Sequence, residues 1–183
     1  MRCGPCPRMA WTAVAGLILA LNLVSTPQAA APPATVDVPD DAAAHGMLDG
    51  MRFVGHFGAT GGPDDRPDSL SFGEGHFWSS VCVPCGFLPA SYWVRRVGDA
   101  IHFRGEMGSV DRGRFLYQGV IRGQRLSASV NWRKDRWYWS IDREFRFEGT
   151  LAETPAPAVS LAAWVLRARR AAVAPEPDAV CPL

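Results

Sequence analysis

The chain has 183 residues, and its 19 basic and 18 acidic side chains leave a formal net charge of +1 at pH 7. No strong overall field therefore draws it to nucleic acid or to an anionic membrane. Once an N-terminal leader is set aside, about 150 residues remain, enough for one domain around one core.

The leader comes first. MRCGPCPRMAWTAVAGLILALNLVSTPQAAAPPA opens with Arg2 and Arg8, continues in a charge-free apolar run from Met9 to Val24, and reaches Ala29, Ala30 and Ala31. That is the three-part layout of a secretory signal peptide, expected over 1–30. The apolar run falls short of the roughly 20 residues that span a bilayer, so the mature chain is expected to have no transmembrane span. The resulting address is periplasmic or secreted. Residues 31–47, rich in Pro, Ala and Asp, read as a flexible leader.

From Leu48 the texture changes to short alternating runs broken by glycine or charged turns. MRFVGHF sets Phe53, Gly55 and Phe57 on one face. The polar loop ATGGPDDRPD leads to SLSF, and the turn GEG returns the chain as HFWSSV. After a cysteine-bearing stretch comes SYWVRRV, then a two-residue turn at Gly98-Asp99. AIHFRGEM alternates Ile101, Phe103, Gly105 and Met107 with polar neighbours. RFLYQGVI, a turn at Arg122-Gly123 and RLSASVNW follow; Leu126, Ala128, Val130 and Trp132 make the last the cleanest strand. The turn RKDR leads to WYWSIDREFRFEGTL.

About eight strands thus follow one another over 48–152 with short connections. Such neighbours must be antiparallel, and closing them into a barrel hides their apolar faces and removes the exposed edges. The expected class is all-β: an eight-stranded antiparallel up-and-down barrel of the lipocalin or avidin kind. A two-sheet sandwich is the alternative, disfavoured by the lack of a long crossover. The segment 153–183 is rich in Pro and Ala and carries a short helix from about Ser160 to Val173. Leu161, Trp164, Val165 and Ala168 share one of its faces. It packs on the barrel in one reading; in the other, residues 158–173 form a basic surface for a partner.

The order LDGMRFVGHFG, LSFGEGHFWSSVC, SYW, GDAIHF, YQGVIRGQRLSASVNW and FRFEGTL resembles a group of small exported bacterial lipocalin-like β-barrel proteins. The likeness runs from Leu48 to Leu151. It implies the barrel fold and export, and it brings no catalytic residues. In that group the position of Cys82 is often cysteine and that of Cys85 often is not.

The stretch SSVCVPCGFLP puts Cys82 and Cys85 in a CxxC pair. A redox CxxC needs its first cysteine at a helix N-terminus, and Gly86 and Pro89 argue against a helix here. A haem site needs histidine at position 86, and a zinc site needs a second ligand pair that His56, His76 and His102 do not supply. Structural pairing is therefore expected. Either Cys82 joins Cys85, or one of the two joins Cys181 across a loop near 100 residues, with the long bridge favoured on chain entropy.

Alternation places Phe53, Phe57, Phe103, Tyr117, Trp132, Trp139, Phe145 and Phe147 inside, beside Gly55, Gly105, Gly119 and Ala128. Large beside small either fills the barrel or leaves a pocket at one mouth. Trp132, Trp137 and Trp139 are the candidate rim. Counting by twos puts Arg143 inward as well. It then needs either a bulge near Asp142 that shifts the phase or a partner such as a ligand anion or carbonyl groups. No GxSxG turn offers a serine nucleophile, and Asp64, Asp65 and Asp68 lack the spacing of a calcium-binding loop.

These residues point to an exported, non-catalytic barrel that binds a small, mostly apolar molecule, with no cofactor and no metal. The ligand would meet Phe53, Phe103, Tyr117, Trp132, Trp139, Arg143 and Phe145. A protein-binding module, acting as inhibitor or envelope factor, is the alternative, and a CxxC thiol redox protein the third.

Overall fold

A computed structural model describes residues 46–62, 66–154, 159–179 and 181. The expected signal peptide, most of the leader, Asp64, Asp65 and residue 158 lie outside the described residues. Eight strands follow in order: β1 (Arg52–Ala59), β2 (Arg66–Gly73), β3 (His76–Ser79), β4 (Ala90–Val97), β5 (Ala100–Ser109), β6 (Gly113–Arg122), β7 (Arg125–Asp135) and β8 (Ser140–Leu151). Each pairs antiparallel with the next, and β8 returns to β1, with Phe53 opposite Leu151 and Ala59 opposite Phe145. The barrel is closed and up-and-down. The sandwich alternative is excluded.

Turn chemistry sets the register. Gly98 has φ +62°, the left-handed start that lets Gly98-Asp99 turn β4 tightly into β5, so that Val97 faces Ala100. The β6–β7 turn is Gly123-Gln124, one residue later than expected, because Arg122 and Arg125 already pair. β2 begins at Arg66, ahead of SLSF, and β3 stops at Ser79. Residues 80–89 then form a loop containing a single 3-10 turn, Val83–Cys85.

The interior is packed with rings. Phe72 meets Phe53, Phe77, Tyr92 and Phe103 at centroid separations of 6.2, 6.1, 5.2 and 5.4 Å. Nearer the other end, Phe115 lies 6.0 Å from Phe57, 4.8 Å from Phe87 and 5.9 Å from Phe145. Two of the inward glycines, Gly105 and Gly119, seat these rings, whereas a Cβ at Gly55 would strike the Glu148 carbonyl of β8. A Cβ at Gly119 would lie 2.0 Å from the Phe103 ring on the neighbouring strand. One at Gly105 would lie 2.2 Å from Phe77, which reaches across from β3. Large beside small is close packing here.

The helix α1 (Leu161–Val173) packs on the barrel wall, as the simpler reading expected. Ser160 caps it, its side chain accepting from the Ala163 N–H, and the Leu161 N–H donates to Glu74 at the β2–β3 turn. Trp164 lies 5.5 Å from Trp78, an outward residue of β3 that α1 buries. Its far end rests on Gly86, where a Cβ would come within 2.6 Å of the Ala172 backbone. The helix thus covers the stretch where β3 and β4 share only two paired positions.

Candidate binding rim

Five of the seven expected ligand contacts are core. Phe53, Phe103, Tyr117, Trp132 and Phe145 are buried, and each lies within 6.5 Å of another interior ring. Tyr117 lies 5.2 Å from Phe77, and Phe57 stacks on Phe145 at 5.1 Å. Trp132 donates its indole N–H to the Arg112 carbonyl at 2.8 Å, tying β7 to the β5–β6 turn.

Trp139 and Arg143 need correction. β7 extends through Asp135, so the residues RKDR largely belong to the strand and the turn is Arg136–Trp139. It is closed by the Arg136 N–H donating to the Trp139 carbonyl. Trp139 therefore sits on the hairpin tip, 46 % exposed, rather than inside. Arg143 has the inward phase, and the β7–β8 register runs unbroken from Arg125–Thr150 to Asp135–Ser140, so no bulge shifts it. The strands simply overshoot the core. Arg143 is exposed at the mouth with its guanidinium 5.9 Å from the ring centre of Trp132, the residue it pairs with.

The hairpin tip places three exposed aromatic side chains in succession, Trp137, Tyr138 and Trp139. Trp137 is 93 % exposed and Tyr138 66 %. Their rings meet at 4.5 Å, and Tyr138 lies 6.1 Å from Trp139. The strand pair beneath is braced by polar contacts. Asp135 accepts from Ser140 and Arg133 and pairs with Arg114 at 3.5 Å. These hydrogen bonds, Ser140 first and then Arg133, hold its carboxyl below the usual range. Asn131 donates to Asp142. By contrast, among the described residues no carboxylate lies at ion-pair distance from Lys134, Arg136 or Arg143. The rim therefore combines solvent-facing rings with cations that are not neutralised in place.

A second polar group lies inside the barrel and was not legible in the sequence, where Asp68 belonged to the β1–β2 loop. Asp68 is an inward residue of β2. Its carboxylate accepts from Ser79 Oγ (2.8 Å), Ser80 Oγ (2.8 Å) and the Val81 (3.1 Å) and Ser69 (2.7 Å) N–H groups. It anchors the start of the 80–89 loop. Ser79 Oγ also accepts from the Cys82 N–H, and Cys82 Sγ lies 3.5 Å from the Tyr117 hydroxyl. Burial raises the Asp68 carboxyl despite the four hydrogen bonds. Burial first, then the charge of Asp68, pushes the Cys82 thiol up to about 12.

A raised native pKa has a definite sign in linkage. Above 3.8 the folded state holds the Asp68 proton longer than the unfolded chain, so this group's contribution to stability falls as pH rises through its native pKa. We expect the urea midpoint of the parent, relative to that of Asp68→Asn, to drift downward as pH rises above about 4. A pH-independent difference between the two would show that the carboxyl titrates normally.

Of the long bridges left open, the one formed is Cys85–Cys181, with Cα atoms 5.6 Å apart and Cys82 left as a buried free thiol. Burial leaves the Cys82 thiol almost entirely protonated at neutral pH, and the Cys85–Cys181 bond ties the C-terminal segment to the 80–89 loop. Among the described residues no three His, Cys, Asp or Glu side chains converge as a metal site would require, and no helix is long and apolar enough to cross a membrane. Comparison with protein-family models, with curated proteins and with solved structures returned no significant match.

Proposed function

We propose that this protein is a non-catalytic binding barrel of lipocalin-like descent, exported to an oxidising compartment, that recognises small, mostly apolar molecules bearing an anionic group at its β7–β8 rim. The observation that carries the reading is the exposure of Trp137, Tyr138 and Trp139 beside Lys134, Arg136 and Arg143. The lumen, occupied by Phe72, Phe77, Phe103 and Phe115, serves as a rigid support. The Cys85–Cys181 bond agrees with export, because structural disulfides persist outside the reducing cytosol.

Magnitudes set what such a rim does. Covering about 150 Å² of apolar ligand surface at about 25 cal/mol per Å² gives about 4 kcal/mol, a Kd near 1 mM. Apolar contact alone is weak, so the cations must supply selectivity and the remaining affinity. A titration of tryptophan fluorescence with monomeric dodecyl phosphate, below its micelle concentration, tests this. The parent should respond and Trp137→Ala/Trp139→Ala should bind about tenfold more weakly. A silent parent, or equal affinity in the double variant, would remove the rim as the recognition surface.

A further inference from the structure

Resting on that reading of the rim, we infer that the apolar, anionic molecules it recognises are lipids met together in a bilayer surface, in whose interfacial layer the β7–β8 hairpin seats itself. The first argument is shape. Small-molecule sites are concave and enclose most of the ligand, whereas Trp137 projects with 93 % of its surface free at the end of a two-stranded hairpin. A projecting tip buries little of itself against one small molecule. Pushed into a continuous apolar medium, all three rings are covered together.

The second argument is the kind of ring. Trp137, Tyr138 and Trp139 each combine an apolar body with an N–H or O–H, the combination that settles at the headgroup level of a membrane. No phenylalanine, leucine or isoleucine shares the tip, so the tip suits the interface better than the hydrocarbon centre. Charge is the third argument. Asp135 and Asp142 are engaged by Arg133, Arg114, Ser140 and Asn131. Lys134, Arg136 and Arg143 remain for lipid phosphates. Basic residues near an anionic surface each strengthen binding by about fivefold.

The barrel makes such a contact inexpensive. Unbroken pairing through Asp135–Ser140 and the hydrogen-bonded four-residue turn fix the backbone of the tip, so docking has chiefly side-chain freedom to remove. The contact is peripheral: the rings lie in the surface layer.

The test uses the full chain with vesicles of phosphatidylglycerol or phosphatidylcholine whose acyl chains carry bromine, which quenches nearby tryptophans. Because residues 9–24 are themselves apolar, the readout is the difference between the parent and Trp137→Phe/Trp139→Phe. The parent should be quenched at least twice as strongly as the variant, at lipid concentrations at least tenfold lower for phosphatidylglycerol than for phosphatidylcholine. Lys134→Gln/Arg136→Gln should raise the half-saturating phosphatidylglycerol concentration roughly 25-fold, fivefold for each cation. Equal quenching of parent and Phe variant, equal response to both lipids, or self-association that buries the tip in place of lipid would each overturn the inference. Binding of monomeric dodecyl phosphate without vesicle binding would overturn it while leaving the rim as a small-amphiphile site. Loss of both would remove the rim reading altogether.

Discussion

Replacing Cys85 and Cys181 by alanine is expected to lower the unfolding free energy by about 4 to 5 kcal/mol, the chain-entropy value for a loop near 100 residues. The bond joins residues 96 apart in sequence, so it restricts most of the folded domain once unfolded. For a domain with a total stability of about 5–15 kcal/mol, that is about a quarter or more. The other contacts that hold the C-terminal segment are weaker. The Arg167–Glu176 pair, at 2.7 and 2.8 Å, lies on the surface, where ion pairs contribute about 0–1 kcal/mol. Trp164 against Trp78 and Ala172 on Gly86 bury only one face of a 13-residue helix. Without the bond α1 should undock first, uncovering Trp78 and the short β3–β4 pairing. Urea unfolding of the parent and the double variant, followed by tryptophan emission, measures both effects. A difference below about 1 kcal/mol would mean that the unfolded chain is already compact enough for the link to restrict little.

Phe72→Ala is expected to cost about 3–5 kcal/mol, the range for emptying a fully buried aromatic site. Phe72 joins β1, β3, β4 and β5 through its ring contacts. Neighbours held by a closed hydrogen-bonded sheet cannot collapse into the space, so the loss should lie towards the upper end. The resulting hole would be lined by Phe53, Phe77, Tyr92 and Phe103, and an apolar hole of that size admits benzene. The parent should therefore show no stabilisation by benzene and the variant a clear one, read as a shift in melting temperature. Stabilisation of the parent would mean that its lumen holds room for a ligand, returning the binding site to the interior.

Legibility followed range. Strand existence and the direction of each pairing were readable, because an apolar residue at every second position demands a sheet with one hidden face, and short turns permit only antiparallel neighbours. The cleanest run, Leu126 to Trp132, is buried at the positions its pattern indicated. The inward phase of Arg143 was also correct. Its environment was not, since phase says which way a side chain points and nothing about how far the core extends along the strand. Trp139 was misplaced because the RKDR residues continue β7 through cross-strand pairs such as Asp135 with Ser140, which a charged local sequence does not announce. Asp68 was missed because its partners Ser79 and Ser80 lie 11 and 12 residues away.

The amino-acid order alone determined that the chain from Leu48 to Leu151 forms an antiparallel meander of about eight strands and that a short helix follows it, since alternation, turn glycines and helical spacing act over a few residues. Only the tertiary structure decided that Gly105 and Gly119 are seats for phenylalanine rings, that Cys181 meets Cys85 rather than Cys82, and that the tryptophans of the last hairpin face water. Those outcomes depend on which distant side chains closure of the barrel brings together. Alternation specifies a face, but filling the space behind that face is a property of all eight strands at once.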